Sequence, residues 1–366
     1  MRRSRTRQTI DERLMLAWVF AMLIGLVMIY STSSMLAESK FGSHLYFFVQ
    51  QLVWTLLALG SVWVILRIDI KEYAVYSTLV MFVILVALSI VFAMPARNGA
   101  HRWLFVGPLA VQPSELFKFA MIVYLAFSLS NPKRDLSRLK QLLFPYVPLV
   151  GLGLLLILAE PDLGSTIVIL ATALVMFYLG GARMKHLAFA LLPSAGLSAF
   201  VVFVLGYKKS RILDYMTALA DPLQGSYQAK QAALTFGAGG MFGTGIGEGS
   251  QKLFFLPYPH TDFVFAAIGE EVGFVGLIVI LALLFYIIWR GLHIASAQPD
   301  RFGFLLASGM TLSLFISIAV NIGVVTSLLP VTGLPLPFLS YGGSSLLVSS
   351  AAIGVLLNLS RRMVRT

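Results

Sequence analysis

The chain has 366 residues, 58% of them hydrophobic and only 12% charged, with 27 lysines and arginines against 16 acids and a net charge of +11. A soluble domain is about 45–50% apolar and about 25% charged, so this balance excludes an ordinary soluble protein and places the chain in the membrane class. The absence of cysteine excludes a disulfide framework, a thiolate metal site and a cysteine nucleophile.

Along the chain, Arg2, Arg3, Arg5 and Arg7 precede an apolar run from Leu14 to about Met35. That run is long enough to span a bilayer, and it reads as a retained first span rather than a cleaved signal peptide. Ten segments qualify as spans: 14–36, 45–67, 73–94, 111–130, 143–159, 162–181, 186–206, 262–289, 302–327 and 339–359. Only Glu160-Pro161-Asp162 separates the fifth from the sixth, which predicts a tight helical hairpin. The expected fold is therefore all-α and polytopic, with about ten transmembrane helices in a single domain over residues 1–366.

Positive charge sets the orientation. With the N-terminus inside, 18 of the 27 lysines and arginines fall in cytoplasmic segments, and the short outer loops keep only Lys40, Arg97 and Arg102. Both termini are predicted cytoplasmic, and the basic excess is a topology signal rather than a nucleic-acid patch. A long extracytoplasmic loop, about 207–261, lies between helices 7 and 8. Loops of that length are commonly functional. Its Gly237–Gly249 stretch has seven glycines in thirteen residues, suited to close backbone approach.

Charged groups within or beside spans carry the functional signal, because such groups are costly to keep there. Lys118 follows Glu115 by three residues on one helical face, which predicts an ion pair serving either helix packing or a ligand. Asp262 opens the eighth span beside His260, where a carboxylate can cap a helix or act as a general base. Glu270 and Glu271 lie deeper on that helix and call for buried partners; adjacent carboxylates could hold a divalent cation, though no metal-ligand spacing accompanies them. Arg102, Lys208, Lys209, Arg211, Lys230 and Lys252 supply outer positive charge suited to an anion such as a pyrophosphate. Gly243-Thr-Gly-Ile-Gly lacks the Lys-Ser/Thr ending of a phosphate-binding loop. Leu329–Ser345, rich in proline and glycine, reads as a broken segment, either a stiff turn or a cavity wall.

Several of these stretches, in order, resemble the SEDS family, which includes FtsW, RodA and SpoVE. They are Gln112-Pro-Ser-Glu-Leu-Phe-Lys118, Pro161-Asp-Leu-Gly-Ser, Gly243-Thr-Gly-Ile-Gly, His260-Thr-Asp-Phe, Glu270-Glu-Val-Gly and Pro335-Leu-Pro-Phe-Leu-Ser-Tyr-Gly-Gly-Ser-Ser345. Gly249-Ser-Gln-Lys is more similar to the FtsW branch, whereas the bare Pro335-Leu-Pro leans toward RodA. Glu160 stands where the family usually has glutamine. The resemblance implies a peptidoglycan glycosyltransferase of the bacterial cytoplasmic membrane, polymerising lipid II on its outer face, at the division septum for an FtsW type or in elongation for a RodA type. It implies Asp262 as catalytic base. Arg102, Lys118, Lys252, Gln112, Glu115, His260 and Ser344 would bind substrate, while Glu270, Glu271 and Asp162 would support them. It further implies a growing glycan strand, a class B penicillin-binding protein and other division proteins as partners, with no cofactor evident. A lipid II flippase and a non-catalytic scaffold for a transpeptidase remain alternatives.

Overall fold

The computed structural model describes residues 9–95, 101–107, 109–134, 144, 146–199, 203–204, 206, 209–220, 225–250, 256–257 and 259–363. Three long helices come first: α1 (Glu12–Phe41), α2 (Tyr46–Ile65) and α3 (Ile70–Val91). A short antiparallel hairpin, β1 (Leu104–Val106) and β2 (Leu109–Val111), leads into α4 (Pro113–Leu129). A π-turn at Val147–Gly151 feeds α5 (Leu152–Ala159), followed by α6 (Leu163–Leu179) and α7 (Met184–Ala199). The long loop contains two helices of its own, α8 (Lys209–Ala220) and α9 (Tyr227–Gly239). The chain closes with α10 (Val264–Ser296), α11 (Arg301–Val325) and α12 (Gly343–Ser360). Helices thus occupy all ten predicted spans, and α1, α2, α3, α10, α11 and α12 are each long and apolar enough to cross a bilayer. The protein is an integral membrane protein.

Polar residues start these helices. Asp11, Asp69, Asp162, Ser226 and Asp300 accept the orphan N–H groups of Leu14, Lys71, Ser165, Ala229 and Gly303 at the starts of α1, α3, α6, α9 and α11. Burial runs opposite to a soluble protein: Leu56, Trp63, Phe82, Val83 and Phe285 face outward, whereas Glu115, Lys118, Ser317 and Asn321 are buried. Lipid offers helices no hydrophobic gain from pairing, so they pack through small residues and polar contacts. Accordingly, Gly343 at the start of α12 lies so close to Trp54 of α2 that an added Cβ would sit 2.0 Å from its ring. Gly25 of α1 admits the Phe338 carbonyl in the same way, 2.2 Å from a would-be Cβ.

Helix α10, expected as one continuous span, is broken at Gly273 (φ 69°, ψ −173°). The glycine-rich loop enters the break. Thr244 and Gly245 donate backbone N–H groups to the carbonyls of Glu270 and Glu271 (2.9 and 3.0 Å), while Phe274 and Val275 donate to Gly240 and Met241 (3.0 and 3.1 Å). Four backbone groups freed by the kink are thereby satisfied, as a low-dielectric setting demands. Glycine is required at both faces, since a Cβ on Gly273 would lie 2.3 Å from the Gly243 nitrogen. The two glutamates stay buried beside the break: Glu270 accepts from the Ser250 N–H at 2.7 Å, and Glu271 accepts the Ser31 hydroxyl of α1.

At the opposite end of the bundle, Asp11 and Arg290 form a buried ion pair. The Ser360 hydroxyl of α12 accepts the Asp11 N–H at 2.9 Å, so the starts and ends of α1, α10 and α12 meet at one point.

Candidate active site

Asp262 stands half-buried just before α10, at the end of the bundle that the charge pattern assigns to the outer side. The backbone leading to it is held at three consecutive carbonyls. His260 O accepts from the Tyr341 N–H (2.8 Å), Thr261 O from the Ser340 hydroxyl (2.6 Å), and Asp262 O from the Asn321 side-chain amide (2.9 Å). Asn321 also donates to Leu334 O at 2.7 Å, and Ser340 Oγ accepts the Leu336 N–H at 2.8 Å. The proline-rich segment 334–341 and the approach to Asp262 are therefore one cross-linked block. Gly333, at φ 82°, lies beside the carboxylate: a Cβ there would stand 3.5 Å from Asp262 Oδ2. Its left-handed backbone favours glycine.

His260 is buried in an aromatic cluster, with ring centroids 4.7 Å from Phe47 and 5.7 Å from Tyr341. Burial, helped by the nearby Lys40 charge, pushes its pKa down to about 4, so it is neutral at working pH. The Tyr341 hydroxyl continues the cluster to Gln50 of α2.

A second group lies inside the bundle. Lys118 Nζ is 2.8 Å from Glu115 Oε2, both side chains buried, as their spacing predicts. They line a cavity of about 10 Å³, room for a single water, together with Ser165, Ser317, Leu334, Pro335 and Ser345. The cavity wall at Leu334–Pro335 thus continues directly into Gly333, beside Asp262.

The third group ties the hairpin to its neighbours. Arg102 donates through Nε to Glu160 O at 3.0 Å and through its other end to Pro161 O, with Asp162 Oδ1 4.0 Å away. Gln112 Nε2 donates to Asp162 Oδ2 at 2.9 Å, and its backbone N–H to Ser344 Oγ at 2.9 Å. These contacts fasten the β1–β2 hairpin, α4, α6 and α12 together. Arg102, expected on a ligand anion, has its guanidinium on the α5–α6 turn. Lys252 and Lys208 lie outside the described residues. Among the described residues no cluster of three or more metal-ligating side chains occurs. Ser340 and Tyr341 stand out in the sequence only as part of the Pro335–Ser345 motif, and Asn321 only as an amide inside the apolar run Ala319-Val-Asn-Ile.

The profile of a cell cycle protein family, that of FtsW, RodA and SpoVE, matches residues 12–364. The chain belongs to the SEDS family. Stage V sporulation protein E of Bacillus subtilis is 40% identical over 356 residues, covering 96% of this chain and 97% of that protein. A probable peptidoglycan glycosyltransferase FtsW from Geobacter metallireducens is 38% identical, covering 97% and 96%. Among solved structures, a chain of a peptidoglycan synthase complex that coordinates polymerisation and crosslinking superposes with a TM-score of 0.79 at 28% identity, covering 96% of this chain and 98% of that one. RodA of Thermus thermophilus gives 0.71 at 27% identity, covering 98% of each.

One buried carboxyl beside this site is a stability liability. Glu160, at the α5–α6 turn, is fully buried with no hydrogen-bond partner for either carboxyl oxygen among the described residues. Burial first, and repulsion from Asp162 second, push its pKa up from 4.5 to about 8, with Arg102 opposing. Below pH 4.5 the folded and unfolded chains both hold this proton, and there is no penalty. As pH rises through that value the unfolded chain releases the proton while the folded one keeps it, so stability falls until about pH 8. The full loss is about 5 kcal/mol. Glu160→Gln, which removes the titration, is expected to melt with the parent near pH 4.5 and progressively above it toward pH 8. A melting-temperature difference that does not change with pH would overturn this account.

Proposed function

We propose that the chain is a glycosyltransferase that polymerises lipid II into peptidoglycan strands on the outer face of the cytoplasmic membrane, with Asp262 as its base. The observation that carries the reading is a half-buried carboxylate at the outer mouth of a SEDS bundle, on backbone held at three successive carbonyls. In the reaction, Asp262 takes the proton of the acceptor GlcNAc 4-hydroxyl while that oxygen attacks the donor MurNAc anomeric carbon. The bond from that carbon to the pyrophosphate breaks, undecaprenyl pyrophosphate leaves, and the anomeric centre inverts. Charge on the leaving group calls for cations. Lys118 and the outer lysines, Lys252 included, are the proposed sources, whereas Arg102 acts by fixing the α5–α6 turn beside Gln112, Asp162 and Ser344. His260, neutral and stacked, is proposed to shape the acceptor side.

Purified protein incubated with lipid II in detergent, where no membrane sidedness exists, tests the reading. Glycan polymer is expected, more abundantly with a class B penicillin-binding protein present. No polymer in either case would leave a flippase or a scaffold. We further propose the FtsW branch and a septal role, on the likeness of Gly249-Ser-Gln-Lys to that branch and on FtsW relatives at 38% identity, beside 40% for the sporulation protein. Depletion is then expected to block septation; rounded cells would instead assign a RodA-type role.

A further inference from the structure

The geometry points to Asn321 as the residue that aims the Asp262 carboxylate, an inference that rests on the base reading above. Asn321 lies near the outer end of α11, 1% exposed, with no charge and no place in the proposed chemistry. Its amide nitrogen carries two protons, and both are used: one goes to Asp262 O at 2.9 Å and the other to Leu334 O at 2.7 Å. It is thus a tie between the peptide of the base and the segment that walls the Glu115–Lys118 cavity. On the other side, Ser340 Oγ makes the complementary tie, donating to Thr261 O and accepting from Leu336 N–H.

Where its peptide is pinned fixes the Cα–Cβ bond about which the Asp262 carboxylate turns, and so the arc its oxygens can reach. The Asp262 carbonyl is pinned from α11 through Asn321, ahead of the start of α10 at Val264. Without Asn321, two carbonyls in a buried setting lose their donor. The segment must then shift to satisfy them. A displacement of about 1 Å at a reacting group can cost about 100-fold in rate. Lys118 and Glu115 themselves sit on α4, which neither tie touches, so the loss should fall more on turnover than on substrate capture.

The test uses the full-length protein in detergent with lipid II. Asn321→Leu, nearly the same size but without donors, is expected to lower kcat about 10- to 100-fold with KM within about twofold of the parent. Ser340→Ala, which should fold even if Asn321→Leu does not, is expected to lower kcat in the same selective way but less. The double variant is expected to lose less than the product of the two, because both ties hold one segment. The inference is overturned if the variants that fold keep kcat within about twofold of the parent, if kcat and KM fail together, or if activity lost simply tracks folded protein lost. The base reading fails separately, if Asp262→Asn still makes polymer.

Discussion

Asp262→Asn protein is expected to fold, to bind lipid II and to make almost no glycan. Asparagine matches aspartate in size but cannot take up a proton, so it removes the base and little else. Positioned general bases contribute about 10²- to 10⁴-fold, and a loss in that range with KM nearly unchanged is the predicted outcome. The backbone has no reason to move, because the three bonds that fix this segment end on carbonyls rather than on the carboxylate. Asp262→Glu pushes the carboxylate one methylene further, past Gly333, and should recover only a small part of the rate. Consumption of lipid II and gel analysis of the polymer measure both. An Asp262→Asn enzyme within about tenfold of the parent would mean that the proton leaves by another route.

Arg290→Ala is expected to be the most damaging single change to stability. It leaves the Asp11 carboxylate buried and without its cation at the point where α1, α10 and α12 meet. Breaking a buried pair in this way costs about 3–5 kcal/mol, a large share of the whole for a marginally stable protein. Removing both charges should cost far less. Asp11→Asn with Arg290→Leu keeps the helix cap to Leu14 and restores an apolar contact, so most of the lost thermal stability should return. Melting curves of the two variants in detergent decide it; a double variant no better than Arg290→Ala would show that the charge itself is not the cause.

Hydropathy and charge were enough to place the ten spans, since each depends only on a long apolar run and its flanking lysines and arginines. The break in α10 was invisible to them. Glu270-Glu-Val-Gly273 reads as a helix with costly acids, and only the approach of Gly240–Gly245 explains how that helix can stop and resume. Helices α8 and α9 were likewise hidden inside a loop recognised by its length alone. In the site, Asp262 stood out because a carboxylate at a span entrance is rare, and the Glu115–Lys118 pair because three residues make one helical turn. Asn321 did not stand out. Its importance lies in carbonyls 59 and 13 residues away, which no local pattern encodes. The contacts of Arg102 were equally illegible: its sequence position gives an outer cation, and only the fold shows the two carbonyls of the α5–α6 turn that it meets.

The interlock between α10 and the glycine-rich loop also constrains how the chain is made. Gly273 lies about 14 Å along α10 from its start, deep enough that bare N–H groups at Phe274 and Val275 would meet hydrocarbon. Their acceptors, Gly240 and Met241, are synthesised more than thirty residues earlier and must already be across the membrane when α10 enters it. Insertion of the eighth span is therefore coupled to translocation of the loop before it. A change that slows that translocation would show up during biogenesis as a misinserted helix, even if the finished protein could have tolerated it.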